Sequence, residues 1–223
     1  MGLYDVENIN PEYKNTMLAF IDILGFKEWL KQKKLPEIVT TIVAILKTVT
    51  QKINHGNFEI KTKLISDSLV IWAELESQID ITAFFIFVSN VIAKIHKIGN
   101  VVTRGCIANG DHFSNEQIWI SKVFVESYKG ESEAIYPRTI LLPSAMSRIK
   151  CLNQDLLNNE FWIKTDIDGF SFINYVNVIS EDCQIVDGKI LANGWTTASP
   201  NNQILIEDIK RHKETIRNGF KTS

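Results

Sequence analysis

Residues 16–24 read TMLAFIDIL, an apolar run broken once, by Asp22. A short continuous run of that kind predicts a strand covered on both faces. Gly25 allows a sharp turn into a helix from about Lys27, which Pro36 ends. A second helix is predicted from Glu37, with Ile38, Val39, Ile42, Val43, Leu46 and Val49 at helical spacing. Residues 54–57 (NHGN) have loop composition. Residues 58–65 and 69–73 then read as strands around Ser66, Asp67 and Ser68, a hairpin signal. Residues 78–98 form a long amphipathic helix stopped by Gly99 and Asn100. Beyond it come a strand at 101–110, a short strand at 118–120 and a helix at 121–130 capped by Ser121. A strand at 136–143, a helix at 144–150, a turn and strand within KTDIDGFSFINYV and a closing helix at 202–221 complete the pattern.

Strand, helices, hairpin, helix, strand is a βαββαβ order. It predicts an α+β fold of the ferredoxin-like kind, an antiparallel sheet with helices on one face and C-terminal additions. In that layout the end of the first strand lies beside the hairpin turn, so Asp22 and Asp67 point at one small volume. Carboxylates sharing a volume repel, which calls for a proton or a cation between them. Two oxygen-bearing side chains that leave room for phosphate oxygens suit Mg²⁺ or Mn²⁺ with a nucleoside triphosphate. Taken singly, Asp67 in Ser-Asp-Ser also fits an ordinary turn, and Asp22 a helix cap.

Composition narrows the field. The 223 residues carry 24 Lys and Arg against 26 Asp and Glu, a formal charge of −2. That balance offers no basic surface for a nucleic-acid backbone or an anionic membrane. Cys106, Cys151 and Cys183 lack CxxC spacing and form neither a disulfide framework nor a zinc site. Residues 1–14 have no signal-peptide pattern, and the run AFFIFV (83–88) is far short of a membrane span. A soluble cytoplasmic protein is expected, with a leader at 1–15, a principal domain at 16–176 and an extension at 177–223 packed on it. No P-loop, hydrolase-elbow or zincin motif occurs.

Three motifs then resemble the class III nucleotidyl cyclases: FIDILGF (20–26), KLISDS (63–68) and TRGCIANG (103–110). Together with SDSLVIW, the Ser127-Tyr128-x-x-Glu131 helix end, AIYPRTIL and DIDGFSFINYV, they most resemble the pyrimidine cyclases of Pycsar antiphage systems. The resemblance implies a homodimer that converts UTP or CTP to 3′,5′-cyclic UMP or cyclic CMP, a messenger for a separate effector. It makes Asp22 and Asp67 ligands of two Mg²⁺ or Mn²⁺ ions, with Ile23 lending a backbone carbonyl. It places Leu24, Gly25 and Phe26 at the turn that wraps the triphosphate, and Lys63 at the base-reading position.

The chain departs from the purine cyclases at three positions. Ile118 stands where they have an acidic base-reading partner, Val125 where they have Asn, and Lys129 where they have the catalytic Arg. Ile118 offers no acceptor to an adenine amino group. Lys129 keeps a positive charge for the departing phosphate, without the fork of Arg. An adenylate or guanylate cyclase, a diguanylate-cyclase-like palm enzyme and a catalytically inactive nucleotide-binding homodimer are the competing readings. Arg104, His112, Tyr128 and Arg138 are secondary candidates; Arg104 is read as structural, His112 as a loop residue, and Asp166 and Asp168 as a turn.

Overall fold

The computed structural model describes residues 11–49, 54–55, 58–115, 118–180, 184–186, 189–191 and 211. In chain order the elements are β1 (Lys14–Ile23), α1 (Phe26–Gln32), α2 (Leu35–Val49), β2 (Asn54–His55), β3 (Phe58–Glu59), β4 (Lys61–Ile65), β5 (Ser68–Ala73) and α3 (Gln78–Gly99). They continue with β6 (Thr103–Ser114), β7 (Trp119–Ser121), α4 (Lys122–Glu131), β8 (Thr139–Leu141), α5 (Pro143–Leu152), α6 (Gln154–Leu157), β9 (Ile163–Thr165), β10 (Ser171–Ile173), α7 (Tyr175–Ser180), β11 (Gln184–Val186) and β12 (Lys189–Leu191).

The main sheet runs β4-β5-β1-β6-β8-β10-β9, with β7 paired to β6. Its first four strands are antiparallel, and their order is the ferredoxin-like one that the sequence pattern predicts. The apolar run of β1 has a direct cause. Met17, Ala19, Ile21 and Ile23 face one core, shared with Phe84, Phe85 and Val88 of α3 and Ile45 of α2. Leu18 and Phe20 face a second core with Val70, Trp72, Cys106 and Val123 of α4. Helices therefore cover both faces rather than the one expected, with α4 on the second. Burying a single Phe or Leu in such a core contributes about 1.5–3 kcal/mol.

Helix α3 is long and apolar enough to cross a membrane, but its most apolar window is 83% buried inside the fold. Its start is fixed by a capping box: Ser77 Oγ accepts from the Asp80 N–H, and Asp80 Oδ2 accepts from the Ser77 N–H at 2.8 Å.

Several expected boundaries move. Pro36 lies in the first turn of α2, where its missing N–H is not needed. Within the expected 54–57 loop, Asn54 and His55 pair with Glu59 and Phe58, so the expected 58–65 strand divides into β3 and β4. The 101–110 strand extends to Ser114 because β1 offers it partners as far back as Lys14, opposite His112. The 136–143 strand shrinks to β8, Pro137 having no N–H to donate. The expected 202–221 helix lies outside the described residues except for Arg211.

Candidate active site

Asp22 stands near the end of β1, on the second face, one row beyond Phe20. The strand register sets Ser68 beside it on β5 and Arg104 on β6. Ser68 Oγ donates to Asp22 Oδ1 at 3.4 Å. The hairpin delivers the second carboxylate. Ser66 and Asp67 form a two-residue turn between β4 and β5, and the Asp67 carbonyl accepts from the Ile23 N–H at 3.1 Å. Ser66 takes a φ of 57°, a left-handed conformation uncommon outside glycine. Strain of this kind concentrates at functional sites and costs roughly 1–3 kcal/mol.

The neighbourhood is acidic. Burial, and then the charges of Asp67 and Glu131, push the Asp22 carboxyl up from 3.8 to about 6, against the opposing pull of Arg104 and Ser68. Among the described residues no cluster of three or more His, Cys, Asp or Glu is arranged as a protein-only metal site. Two carboxylates that repel each other, beside a backbone carbonyl, instead fit a hard cation that keeps water and substrate oxygens in its shell. Asp22, Asp67 and the Ile23 carbonyl are the groups present for that role.

A raised carboxylate pKa has a stability consequence. Between pH 3.8 and about 6 the folded state binds more protons at Asp22 than the unfolded state, so stability falls as pH rises through that window. Asp22→Asn is therefore expected to raise the Tm of the cation-free protein by a few degrees at pH 7.5, on the order of 1 kcal/mol. At pH 4 the gain should vanish; a thermal melt at both pH values checks it.

The turn after Asp22 differs from its sequence reading in one respect. The Leu24 N–H is already donated to the Val102 carbonyl at 3.0 Å, which removes it from phosphate binding. Gly25 follows with φ 85°, a conformation L side chains rarely adopt, and its carbonyl accepts from Glu28 and Trp29 to start α1 at Phe26. Among the described residues no backbone hydrogen bond is found from the Gly25 or Phe26 N–H, so these two remain the turn's donors.

Lys63 lies on the same face as Asp22. It pairs with Val70, which pairs with Phe20, one row from Asp22 and two strands across. Strand geometry puts such positions about 12 Å apart, roughly the span from base to phosphates in a nucleotide. The Lys63 ammonium sits 4.6 Å above the ring of Trp119, whose edge meets Trp72 at 4.7 Å and His112 at 5.3 Å. The sequence counting pointed to Ile118 here, but Ile118 closes a turn with Asn115, and its neighbour Trp119 meets Lys63. His112, expected in a loop, is buried in β6 beside these rings.

Lys129 is exposed near the end of α4, and no ion pair joins it to Asp22 or Asp67 among the described residues. Arg104 pairs with Glu131, the last residue of α4. Asp166 and Asp168 do form a turn, and both carboxylates hold Arg138. A separate cleft of about 520 Å³ opens at the far end of β1, lined by Lys14, Lys61, Trp72, Glu74 and Asp80 among others. Its charges are largely matched locally, as in Lys14 with Glu74 at 3.0 Å, and it is remote from the carboxylate pair.

Solved structures of nucleotidyl cyclases share this fold of a ferredoxin-like sheet with helices on both faces. The chain resembles a bacterial light-regulated adenylyl cyclase at 12% identity and a TM-score of 0.54, over 91% of this chain and 59% of that one. It resembles the adenylyl cyclase CyaB from P. aeruginosa at 14% identity and a TM-score of 0.51, over 85% of this chain and 92% of that one. No protein-family model matches the chain, and no curated protein matches it in sequence.

Proposed function

We propose that the protein is a homodimeric, metal-dependent pyrimidine nucleotide cyclase that converts UTP or CTP to the 3′,5′-cyclic monophosphate and pyrophosphate. The observation that carries this reading is the convergence of Asp22 and the Asp67 turn at the end of the sheet face that α4 covers, with Lys63 a nucleotide's length away. Asp22, Asp67 and the Ile23 carbonyl hold the cations, while the Gly25 and Phe26 N–H groups face the triphosphate. When bound, the two Mg²⁺ or Mn²⁺ ions supply the positive charge that acidifies the ribose 3′-hydroxyl and steadies the leaving pyrophosphate. The 3′-oxygen forms a bond to the α-phosphorus in line with the departing β-phosphate, and one proton leaves to solvent.

Pyrimidine preference rests on the resemblance of the short motifs and on the base end of the site. Lys63 can donate to a pyrimidine carbonyl, and the Trp119 ring that fills the space beside it offers an adenine amino group no acceptor. Ile120, Val125 and Tyr128 expose apolar surface around α4 (50%, 49% and 60%), which supports a second copy covering this face. That copy would bring Lys129 to the partner's substrate as a point charge. By the same resemblance, the product serves a separate effector in antiphage defence.

Incubation with each of the four nucleoside triphosphates and Mn²⁺ tests the reading. UTP or CTP is expected to yield cyclic product, with ATP and GTP slower by roughly tenfold or more, the discrimination one misplaced polar contact supplies. Preferential turnover of ATP or GTP would assign a purine cyclase instead. One observation favours a second reading, a catalytically inactive nucleotide-binding dimer: Val125 and exposed Lys129 occupy the positions of the purine cyclases' Asn and Arg. Nucleotide binding without pyrophosphate release from any of the four would establish it.

A further inference from the structure

The row of side chains that crosses the sheet at Asp22 contains a cation that two metal-binding carboxylates do not require. Arg104 is directly opposite Asp22 in the antiparallel β1–β6 pair, on the same face. Such partners have Cα atoms about 4.5–5.5 Å apart, well within reach of a guanidinium for a carboxylate. Yet the pairing goes elsewhere. Arg104 Nε donates to Glu131 Oε1, and no ion pair joins Arg104 to Asp22 among the described residues.

Glu131 is built into place. It ends α4, and its side chain is only 12% exposed. The preceding Gly130 lets the helix press onto β6: a Cβ there would sit 2.7 Å from Cys106 Sγ and 2.9 Å from a Leu142 methyl. The Ala134 N–H then donates to the Glu131 carbonyl at 3.1 Å, tying down the turn that follows. The helix end therefore holds an acid against Arg104 from above the sheet, while Asp22 faces the same guanidinium along the sheet.

We propose that Glu131 is a positioning residue of the cation site, holding the Arg104 guanidinium away from Asp22 so that this carboxylate stays available to a divalent cation. The inference rests on the reading of Asp22 and Asp67 as cation ligands. With Glu131 neutral, the carboxylate facing Arg104 across the strand pair is Asp22, and a guanidinium seated there competes directly with the metal. The role is one of restraint: Glu131 does not ligate the cation and does not touch substrate.

Titration of the protein with Mn²⁺ alone, following the free-ion EPR signal, tests this without reference to turnover. Asp22→Asn is expected to abolish saturable binding. Glu131→Gln, nearly isosteric, is expected to weaken binding roughly 10- to 100-fold, the range seen when an outer-shell partner is lost. Arg104→Met with Glu131→Gln is expected to bring affinity back to within about threefold of the natural protein, because the competitor is gone. Arg104→Met alone should bind Mn²⁺ as tightly as the natural protein or more so, and it keeps the test alive should Glu131→Gln not fold. Unchanged binding in Glu131→Gln, no recovery in the double variant, or a tenfold loss in Arg104→Met would overturn the positioning role while leaving the cation site in place. If the natural protein binds no Mn²⁺ saturably, or Asp22→Asn binds as it does, the cation reading itself falls.

Discussion

Asp67→Ala is expected to lose nucleotide cyclisation by at least about a thousandfold, equivalent to about 4 kcal/mol of barrier, while remaining folded. The reason lies in how the hairpin is attached. What fixes the turn against β1 is the Asp67 backbone carbonyl, which accepts from the Ile23 N–H at 3.1 Å, and alanine retains that carbonyl. Among the described residues no hydrogen bond or ion pair of its side chain supports the fold, and its charge opposes that of Asp22. Substitution therefore removes a proposed cation ligand without breaking the frame that presents the other. The Tm of the cation-free variant should equal or exceed that of the natural protein, whereas pyrophosphate release from UTP or CTP should fall to background. Full turnover in Asp67→Ala would remove the cyclase proposal, and a large loss of Tm would mean the carboxylate is structural. Asp22→Asn should match it in activity.

The parts of this site that the sequence displays are the local ones. Asp22 is conspicuous because β1 is buried on both faces and tolerates no other polar residue between Met17 and Ile23. Asp67 is conspicuous because two-residue turns between apolar strands carry their own composition. The βαββαβ order follows from element lengths and stops, and the sheet obeys it. What stayed hidden is set by pairings between distant segments. Trp119 meets Lys63 because β6 turns back on itself through β7, with Ser114 opposite Trp119, and the spacing of that turn decides whether residue 118 or 119 faces the lysine. Counting along the chain reaches Ile118 and gives no sign that Trp119 is the residue beside Lys63. His112 follows Asn109, Gly110 and Asp111, residues of loop composition, yet β1 supplies backbone partners that keep the strand going. The Arg104–Glu131 pair joins residues 27 apart, through a helix whose placement on the second face no periodicity reveals. Local chemistry and the topology that brings Asp22 beside the Asp67 turn are legible in sequence; side-chain pairings that depend on turn spacing or helix placement are not.

Arg138→Met is expected to be strongly destabilising although it lies away from the carboxylate pair. Arg138 is 3% exposed, and its guanidinium spans both acids of the Asp166-Ile167-Asp168 turn. Nη1 donates to Asp166 Oδ2 at 2.7 Å, and Nη2 donates to Asp168. The rings of Tyr136, Phe170 and Phe172 surround the guanidinium, with centroids 5.4, 5.8 and 5.9 Å away. The clasp ties the β9–β10 hairpin to the strand before it, and the Arg138 carbonyl accepts from the Gly105 N–H next to Arg104. Breaking a buried pair typically costs 3–5 kcal/mol, and the lower figure applies here because both acids can still reach water. For a chain of this length, about 3 kcal/mol lowers Tm by roughly 10 °C. Lysine should recover only part of the loss, since one ammonium cannot fork between two acids. The effect has a defined pH window. Its hydrogen bond to Arg138 holds the Asp168 carboxyl below its usual 3.8, so the stabilisation is present above that value and is lost as pH falls through the lower folded value. The Tm gap between natural and Arg138→Met protein should therefore be full at pH 7 and shrink below about pH 4. Cyclase activity at 25 °C should survive, because the backbone bond to Gly105 remains. Equal melting temperatures at pH 7 would show that the turn is held by its own backbone instead.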